Sequence, residues 1–159
     1  MKVEQVMQRD VKMCRADDTL NTAAHIMWNH DCGCVPVVDR DGHVVGMITD
    51  RDICMAAYMR GMPLEAVQVQ DAMSHTVSAC HPQETVAAAE RMMRDNQVHR
   101  LPVIDAAGRL VGIVSLNDLA QEAGRDMMTK KRAITFGEVG ETLAAVCRPR
   151  SARRVNAAA

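Results

Sequence analysis

The sequence predicts an α+β fold built from two tandem copies of one unit, and three observations support this. Residues 7–54 align with residues 73–120 without a gap, at a constant offset of 66 positions. Each copy alternates helical periodicity with short β-branched runs. The 159 residues, 48% apolar and 25% charged, are enough to bury a compact core. We therefore expect the two copies to fold together.

The first element of each copy is a helix, because apolar residues recur at spacings of three and four. These residues are Leu20, Ala23 and Met27 in the first copy, and Val86, Ala89 and Met93 in the second. Thr19 and Thr85 stand at the helix starts, where a side-chain oxygen can accept from an unpaired amide of the first turn. We predict that both threonines are N-caps.

A β-hairpin and a second helix follow in each copy. The hairpins are predicted because apolar, β-branched runs flank turns rich in Asp and Gly. The predicted ranges are 35–38, 44–48 and 50–60 for the strands and helix of the first copy, and 101–104, 110–114 and 117–123 for those of the second. One such unit leaves apolar surface exposed, so the second copy is expected to cover it.

The domain boundaries follow the repeat. The first copy is assigned to residues 1–60, a crossover linker with Gly61 and Pro63 to 61–70, and the second copy to 71–124. An extension over 125–148 carries a short helix at 138–148 with an apolar stripe of Leu143, Val146 and Cys147. This helix must pack on its own domain or on another subunit, and a dimer contact is favoured. Residues 149–159 are predicted to be a disordered basic tail.

Both hairpins end in the same pattern, Gly, two apolar residues, a hydroxyl, two residues and Asp, at residues 46–52 and 112–118. At a strand-to-helix turn, the hydroxyls of Thr49 and Ser115 and the first-turn amides can hold phosphate. Asp52 and Asp118 supply paired acceptors suited to a ribose diol. The alternative is that Thr49 and Ser115 only cap the helices.

With the preceding apolar-Pro-Val-apolar-Asp strand, this pattern resembles that of the cystathionine-beta-synthase-type (CBS) domain, twice over, across residues 3–123. The resemblance implies two βαββα-type repeats packed sheet to sheet about a pseudo-twofold axis. It implies two clefts that bind AMP, ADP, ATP, NAD, S-adenosylmethionine or related adenine compounds. The chain would then be a stand-alone regulatory module, with the adenine nucleotide as its regulatory ligand.

The resemblance also assigns residues to the two clefts. Asp118 and Ser115 would serve one site, with adenine against residues 11–13 and the backbone of residues 32–33. Asp52 and Thr49 would serve the other, against residues 77–79 and 98–99. The named wall residues are Val11, Met13, Cys32 and Gly33 for the first of these sites, and Val77, Val98 and His99 for the second.

The second copy carries Val98-His99-Arg100-Leu101, which resembles a repeat in the nucleotide-sensing subunit of AMP-activated protein kinase. There the equivalent basic pair meets phosphate. The planar guanidinium of Arg100 matches phosphate oxygens, so we predict it to be the main clamp, assisted by His99 and Arg51. The alternative is a surface arginine. Because Gly33 and Cys34 replace this basic pair in the first copy, the two sites should not be equivalent.

The segment His30-Asp31-Cys32-Gly33-Cys34 supports a competing hypothesis, a thiol redox sensor or a metal sensor. Thiolates and imidazole suit zinc, but the segment lacks the usual paired spacing. Core packing of the cysteines is favoured, because a reducing compartment keeps the six thiols free.

Several function classes are disfavoured. The net charge of −1 and three aromatic residues give little to attract nucleic acid. No signal peptide and no run of 18 apolar residues is found, so a cytoplasmic protein without a membrane span is expected. No nucleophile–base constellation emerges, which argues against an enzyme, and no tightly bound cofactor is expected. The expected partners are a second copy, forming a homodimer through the CBS helices, and an unnamed downstream protein.

Overall fold

The computed structural model describes residues 1–129 and 133–149. The elements alternate as the repeat predicts, and the α+β class is confirmed by the fold. The first half contains β1 (Cys14–Arg15), α1 (Leu20–Asn29), β2 (Cys34–Val38), β3 (Val44–Thr49) and α2 (Asp50–Arg60). The second half contains α3 (Val86–Asn96), β4 (Arg100–Ile104), β5 (Leu110–Ser115) and α4 (Leu116–Thr129), followed by α5 (Phe136–Val146).

The two halves have equivalent small sheets. In the first half β1 pairs parallel to β2, and β2 pairs antiparallel to β3. In the second half β4 and β5 form the antiparallel hairpin, and Cys80 makes one parallel bridge to Val103 where β1 would stand. Thr19 and Thr85 accept from the amides of Thr22 and Ala88 at 3.3 and 3.2 Å, so both predicted N-caps are confirmed.

The halves exchange their leading segments. The amide of Val3 donates to the carbonyl of Glu84 at 2.9 Å, so the first residues of the chain lie on the second half. In return, the amide of Leu20 donates to the carbonyl of Val67 at 2.9 Å. Val3 and Met7 accordingly belong to the second core, and Val67, Val69 and Met73 to the first. The segment at the start of the first repeat therefore completes the core of the second half, and the segment at the start of the second repeat completes the core of the first half.

Two glycines make room for these exchanged segments. A Cβ on Gly46 would lie 2.6 Å from Met73 Sδ, and one on Gly112 would lie 2.7 Å from Met7 Sδ. Only glycine leaves the space for the crossing chain, because the neighbouring methionines are themselves buried. Both glycines stand three residues before the hydroxyl of a predicted ligand turn.

The tips of the two hairpins also meet. The amide of Leu110 donates to the carbonyl of Gly42 at 3.0 Å, and His43 bridges Arg109 in an antiparallel pairing. The paired tips and the exchanged segments join the repeats into one unit.

Helix α4 is longer than predicted. It reaches Thr129 rather than residue 123. The buried carboxylate of Asp126 accepts from the amides of Ala133 and Ile134 at 2.9 and 3.1 Å, so it anchors the chain that follows the helix. The sequence repeat stops before this anchor, and the repeat therefore gave too early a helix end.

Helix α5 packs on α3 and α4 of its own chain. Its buried residues are Val139, Thr142 and Val146, so the predicted stripe is right for Val146 and wrong for Leu143 and Cys147, which are exposed. Thr142 replaces them because its hydroxyl accepts from Arg94 Nη1 at 2.8 Å.

The predicted tail lies outside the described residues from position 150 onward. Within the residues that are described, no helix is long and apolar enough to cross a membrane.

Candidate functional site

The turn at residues 49–52, here the Asp52 turn, joins β3 to α2 through a reciprocal capping box. Thr49 donates from its amide and from its hydroxyl to Asp52 Oδ2, at 2.9 and 2.7 Å. The Asp52 amide donates back to Thr49 Oγ1 at 3.1 Å. The carboxylate is half-buried and held in one orientation by charge-assisted bonds.

The turn at residues 115–118, here the Asp118 turn, repeats this geometry between β5 and α4. Ser115 donates from its amide and hydroxyl to Asp118 Oδ2 at 2.8 and 2.5 Å, and the Asp118 amide returns a bond to Ser115 Oγ at 3.3 Å. Asp118 is also half-buried. The structure thus places both predicted hydroxyl–carboxylate pairs in matching positions.

Helix capping by Thr49 and Ser115 is confirmed. The same box recurs at the start of α5, where Thr135 and Glu138 make bonds of 2.9, 2.7 and 3.3 Å and no ligand turn is predicted. Capping therefore accounts for one carboxylate oxygen in each turn. A ligand role for Asp52 and Asp118 depends on the other oxygen, Oδ1.

The exchanged segments bring the predicted adenine walls toward these turns. The backbone of Gln8 pairs with Ile113, two residues before Ser115, and Val11 and Met13 follow along the chain. The backbone of Ser74 pairs with Met47, two residues before Thr49, and Val77 follows. This placement agrees with the predicted partition of the walls between the clefts, which stays a prediction.

Arg100 projects from β4 toward the first half. A Cβ on Gly33 would lie 3.7 Å from Arg100 Nη1 and 3.2 Å from Asp50 Oδ2. The guanidinium thus lies close to the first residue of α2, in space that Gly33 and Cys34 leave open. A larger pair at those positions, such as the His99-Arg100 pair of the second copy, would fill that space. This position favours a role for Arg100 at the Asp52 turn.

The other residues predicted to contact the ligand near Arg100 are Val98, His99 and Arg51. Val98 is half-buried, whereas the side chains of His99 and Arg51 are exposed and make no hydrogen bond within residues 1–129 and 133–149. Their assisting roles stay predictions.

Cys14, Cys34 and Cys80 are buried, as the core-packing interpretation expects, whereas Cys54 and Cys147 are exposed and do not fit it. Burial raises the pKa of Cys34, and the neighbouring Arg100 guanidinium only partly opposes this rise. Burial also raises the pKa values of Cys14 and Cys80 to about 12. A buried thiol held neutral is a poor nucleophile and a poor metal ligand. Cys32 is half-buried and lines a cavity of about 280 Å³ together with Asp50.

One group with metal-ligand chemistry was missed from the sequence. Asp39, Asp41 and His43 have ligand atoms within 4.8 Å of one another in the first hairpin turn. Asp39 Oδ1 already accepts from the amides of Asp41 and His43 at 2.9 Å each. Asp105 makes the equivalent bonds in the second hairpin, where Ala107 and Arg109 replace the other two residues. The carboxylate is thus a turn-forming group in both halves.

Two further residues near the turns were also missed. Asp50 lies beside Arg100, and Gln8 Nε2 donates to Asp118 Oδ1 at 2.9 Å across 110 positions. The signal for Gln8 was present in the repeat alignment, which places it opposite the much shorter Ser74.

Comparison with family models finds the CBS domain over residues 3–58 and 69–125. The CBS domain-containing protein YhcV of Bacillus subtilis is 35% identical over 74% of this chain and 82% of its own length. Inosine-5'-monophosphate dehydrogenase of Methanocaldococcus jannaschii is 31% identical over 79% of this chain, which spans only 25% of that enzyme.

Two solved structures show how far the likeness extends in three dimensions. The CBS domain pair of protein MJ0100, in complex with 5'-methylthioadenosine and S-adenosyl-L-methionine, has a TM-score of 0.72 at 25% identity and covers 79% of this chain and 98% of that one. Hypoxic Response Protein I, with two coordinated zinc ions, has a TM-score of 0.68 at 29% identity and covers 77% and 98%.

Proposed function

This chain belongs to the CBS domain family and contains a CBS domain pair, a regulatory module, and on that premise we propose that it senses an adenosine-containing ligand, such as AMP, ADP, ATP, NAD or S-adenosylmethionine. The ligand binds at the Asp52 and Asp118 turns, its ribose meets the carboxylates, and any phosphate meets Arg100 and the first-turn amides. The module performs no chemistry of its own. Binding shifts the packing of the two halves, and a partner protein senses the shift.

The observation that carries this proposal is the duplicated, pre-oriented carboxylate. Each capping box holds Asp52 or Asp118 through Oδ2, at 2.7 Å from the Thr49 hydroxyl and 2.5 Å from the Ser115 hydroxyl. Since the carboxylate does not need to be ordered when a ligand arrives, the entropic cost of binding is reduced. The structural similarity to the CBS domain pair of protein MJ0100, which is in complex with two adenosine compounds, adds support.

The test is a thermal-shift screen of the purified protein against AMP, ADP, ATP, NAD, S-adenosylmethionine and 5'-methylthioadenosine. A ligand at 100 times its Kd should stabilise the protein by about 2.7 kcal/mol. Asp52→Ala and Asp118→Ala should each reduce the shift produced by the active compound. A screen in which no adenosine compound raises the Tm, repeated by calorimetry at millimolar concentration, contradicts the proposal.

Glu138→Ala is the matched control, because it removes the same kind of capping box from α5, away from the ligand turns. All three variants lose the N3 side chain of a capping box, which accepts from the N-cap amide, and all three keep the N-cap residue itself. Only the two turn variants should lose ligand binding. Equal loss in all three would mean that the aspartates act through stability alone.

We further propose a homodimer that forms through α1 and α2. Trp28, Tyr58 and Met59 are 87, 82 and 76% exposed on these helices, whereas α5 covers the corresponding helices of the second half. Large exposed apolar residues on adjacent helices are typical of an interface. Trp28→Glu combined with Tyr58→Glu should give a monomer by sedimentation velocity. Met128→Glu, at a 90% exposed position on α4, is the control expected to stay dimeric.

A further inference from the structure

The two predicted ligand turns are approached by equivalent backbone segments, but these segments carry different side chains, Gln8 and Ser74. The amide of Gln8 donates to the carbonyl of Ile113 at 2.9 Å, and the carbonyl of Gln8 accepts from the amide of Ile113 at 2.9 Å. At the equivalent place Ser74 and Met47 exchange bonds of 2.9 and 3.1 Å. Position 8 and position 74 are therefore fixed in the same way relative to their turns, and only the side chains differ.

At the Asp118 turn both carboxylate oxygens are engaged. Oδ2 holds the two Ser115 donors, and Oδ1 accepts from Gln8 Nε2 at 2.9 Å. The Gln8 side chain is exposed, so this bond lies at the protein surface.

The Asp52 turn differs from the Asp118 turn at the second carboxylate oxygen, Oδ1. Oδ2 holds the two Thr49 donors, while the hydroxyl of Ser74 turns away and donates to the carbonyl of Thr76 at 3.2 Å. Among residues 1–129 and 133–149, no group donates to Asp52 Oδ1. Serine is too short to reproduce the glutamine contact.

We propose that Gln8 is a specificity-determining residue that makes the Asp118 turn the weaker of two ribose sites, and this rests on the proposed function. A carboxylate oxygen offers two acceptor positions, and a ribose diol that donates through both hydroxyls needs both of them. Gln8 occupies one position at Asp118 Oδ1, so the diol must displace the amide or bind through one hydroxyl. Asp52 Oδ1 keeps both positions open, and Arg100 also lies toward that turn. Adenosine compounds with a free 2',3'-diol therefore fill the Asp52 turn first.

The internal repeat supplies a reciprocal test, Gln8→Ser and Ser74→Gln, measured by titration calorimetry. The probe is 5'-methylthioadenosine, which has the diol but no phosphate and so isolates the ribose contact from Arg100. Gln8→Ser should tighten the weak site by about tenfold, the value of one charge-assisted hydrogen bond, and Ser74→Gln should weaken the tight site by a similar factor. With 2',3'-dideoxyadenosine neither substitution should change the affinity.

The assignment to individual turns uses Asp52→Asn, which weakens the tight site. In that background Gln8→Ser should still tighten the remaining site, and circular dichroism should confirm that the variants are folded. If wild type binds the probe and Gln8→Ser leaves both affinities unchanged, the inference fails while the proposed function stands. If wild type binds no adenosine compound, the proposed function fails and the inference fails with it.

Discussion

Replacing Gly112 by alanine tests the exchange of segments directly. The new Cβ would lie 2.7 Å from Met7 Sδ and 3.0 Å from the carbonyl oxygen of Gln8. The methionine can adopt another rotamer, but the Gln8 carbonyl cannot retreat without losing its 2.9 Å bond from the Ile113 amide. The substitution therefore forces the exchanged segment away from β5.

The expected cost is that of overpacking, about 1–3 kcal/mol. For a chain of this size that lowers the Tm by about 2–12 °C. Gly46→Ala should cost a similar amount, because its Cβ would lie 2.6 Å from Met73 Sδ and 3.1 Å from the carbonyl oxygen of Ser74. Differential scanning calorimetry and urea unfolding measure both effects.

Gly140→Ala provides the control, since a Cβ there has no heavy atom within 4 Å and the residue lies inside α5. Alanine is favoured over glycine in a helix interior by about 0.5–1 kcal/mol, so this variant should be slightly more stable. If Gly112→Ala were as stable as wild type, the N-terminal segment would not lie against β5, and the exchange would be refuted.

Two further predictions concern buried titratable groups. Alkylation followed by peptide mass spectrometry should label the exposed Cys54 and Cys147 first, and Cys14 and Cys80 only on unfolding. Fast labelling of Cys14 or Cys80 in the folded protein would contradict their burial in the two cores. Burial under α5 raises the pKa of Glu90 above its ordinary value of 4.5. The folded protein therefore binds this proton more tightly than the unfolded chain does, and the resulting contribution to the free energy of unfolding is present at low pH and is lost as the pH rises through the folded-state pKa. Glu90→Gln should flatten this pH dependence of the urea midpoint above pH 4.5, and an unchanged slope would contradict it.

The element order could be predicted because periodicity and turn chemistry are local signals. The Thr19 and Thr85 caps, the hairpins and α2 all follow from residues within a few positions of one another. The strand-to-helix turn with its capping box was placed correctly for the same reason, since Thr49 and Asp52 lie in one helical turn.

The exchange of segments could not be predicted in this way. Apolar periodicity indicates that Val3 and Met7 are buried, but it does not say against which copy, since both copies present similar apolar faces. Thr142 shows a second limit, because its burial depends on Arg94, 48 positions earlier in the chain. The Gln8–Asp118 contact likewise joins residues that are far apart in the chain, at a separation of 110 positions. Long-range polar pairs carry no periodic signal, and one such pair distinguishes the Asp118 turn from the Asp52 turn.

The exchange of leading segments also restricts how such a protein can evolve. A repeat that kept its own leading segment could be duplicated, deleted or moved as a single piece. Here, deleting the first copy would remove one core and take Val3 and Met7 from the other, and deleting the second copy would take Met73 from the remaining core. The unit that recombination can transfer intact is thus the pair. The two copies can diverge at positions such as Gln8 and Ser74, but they must be inherited together.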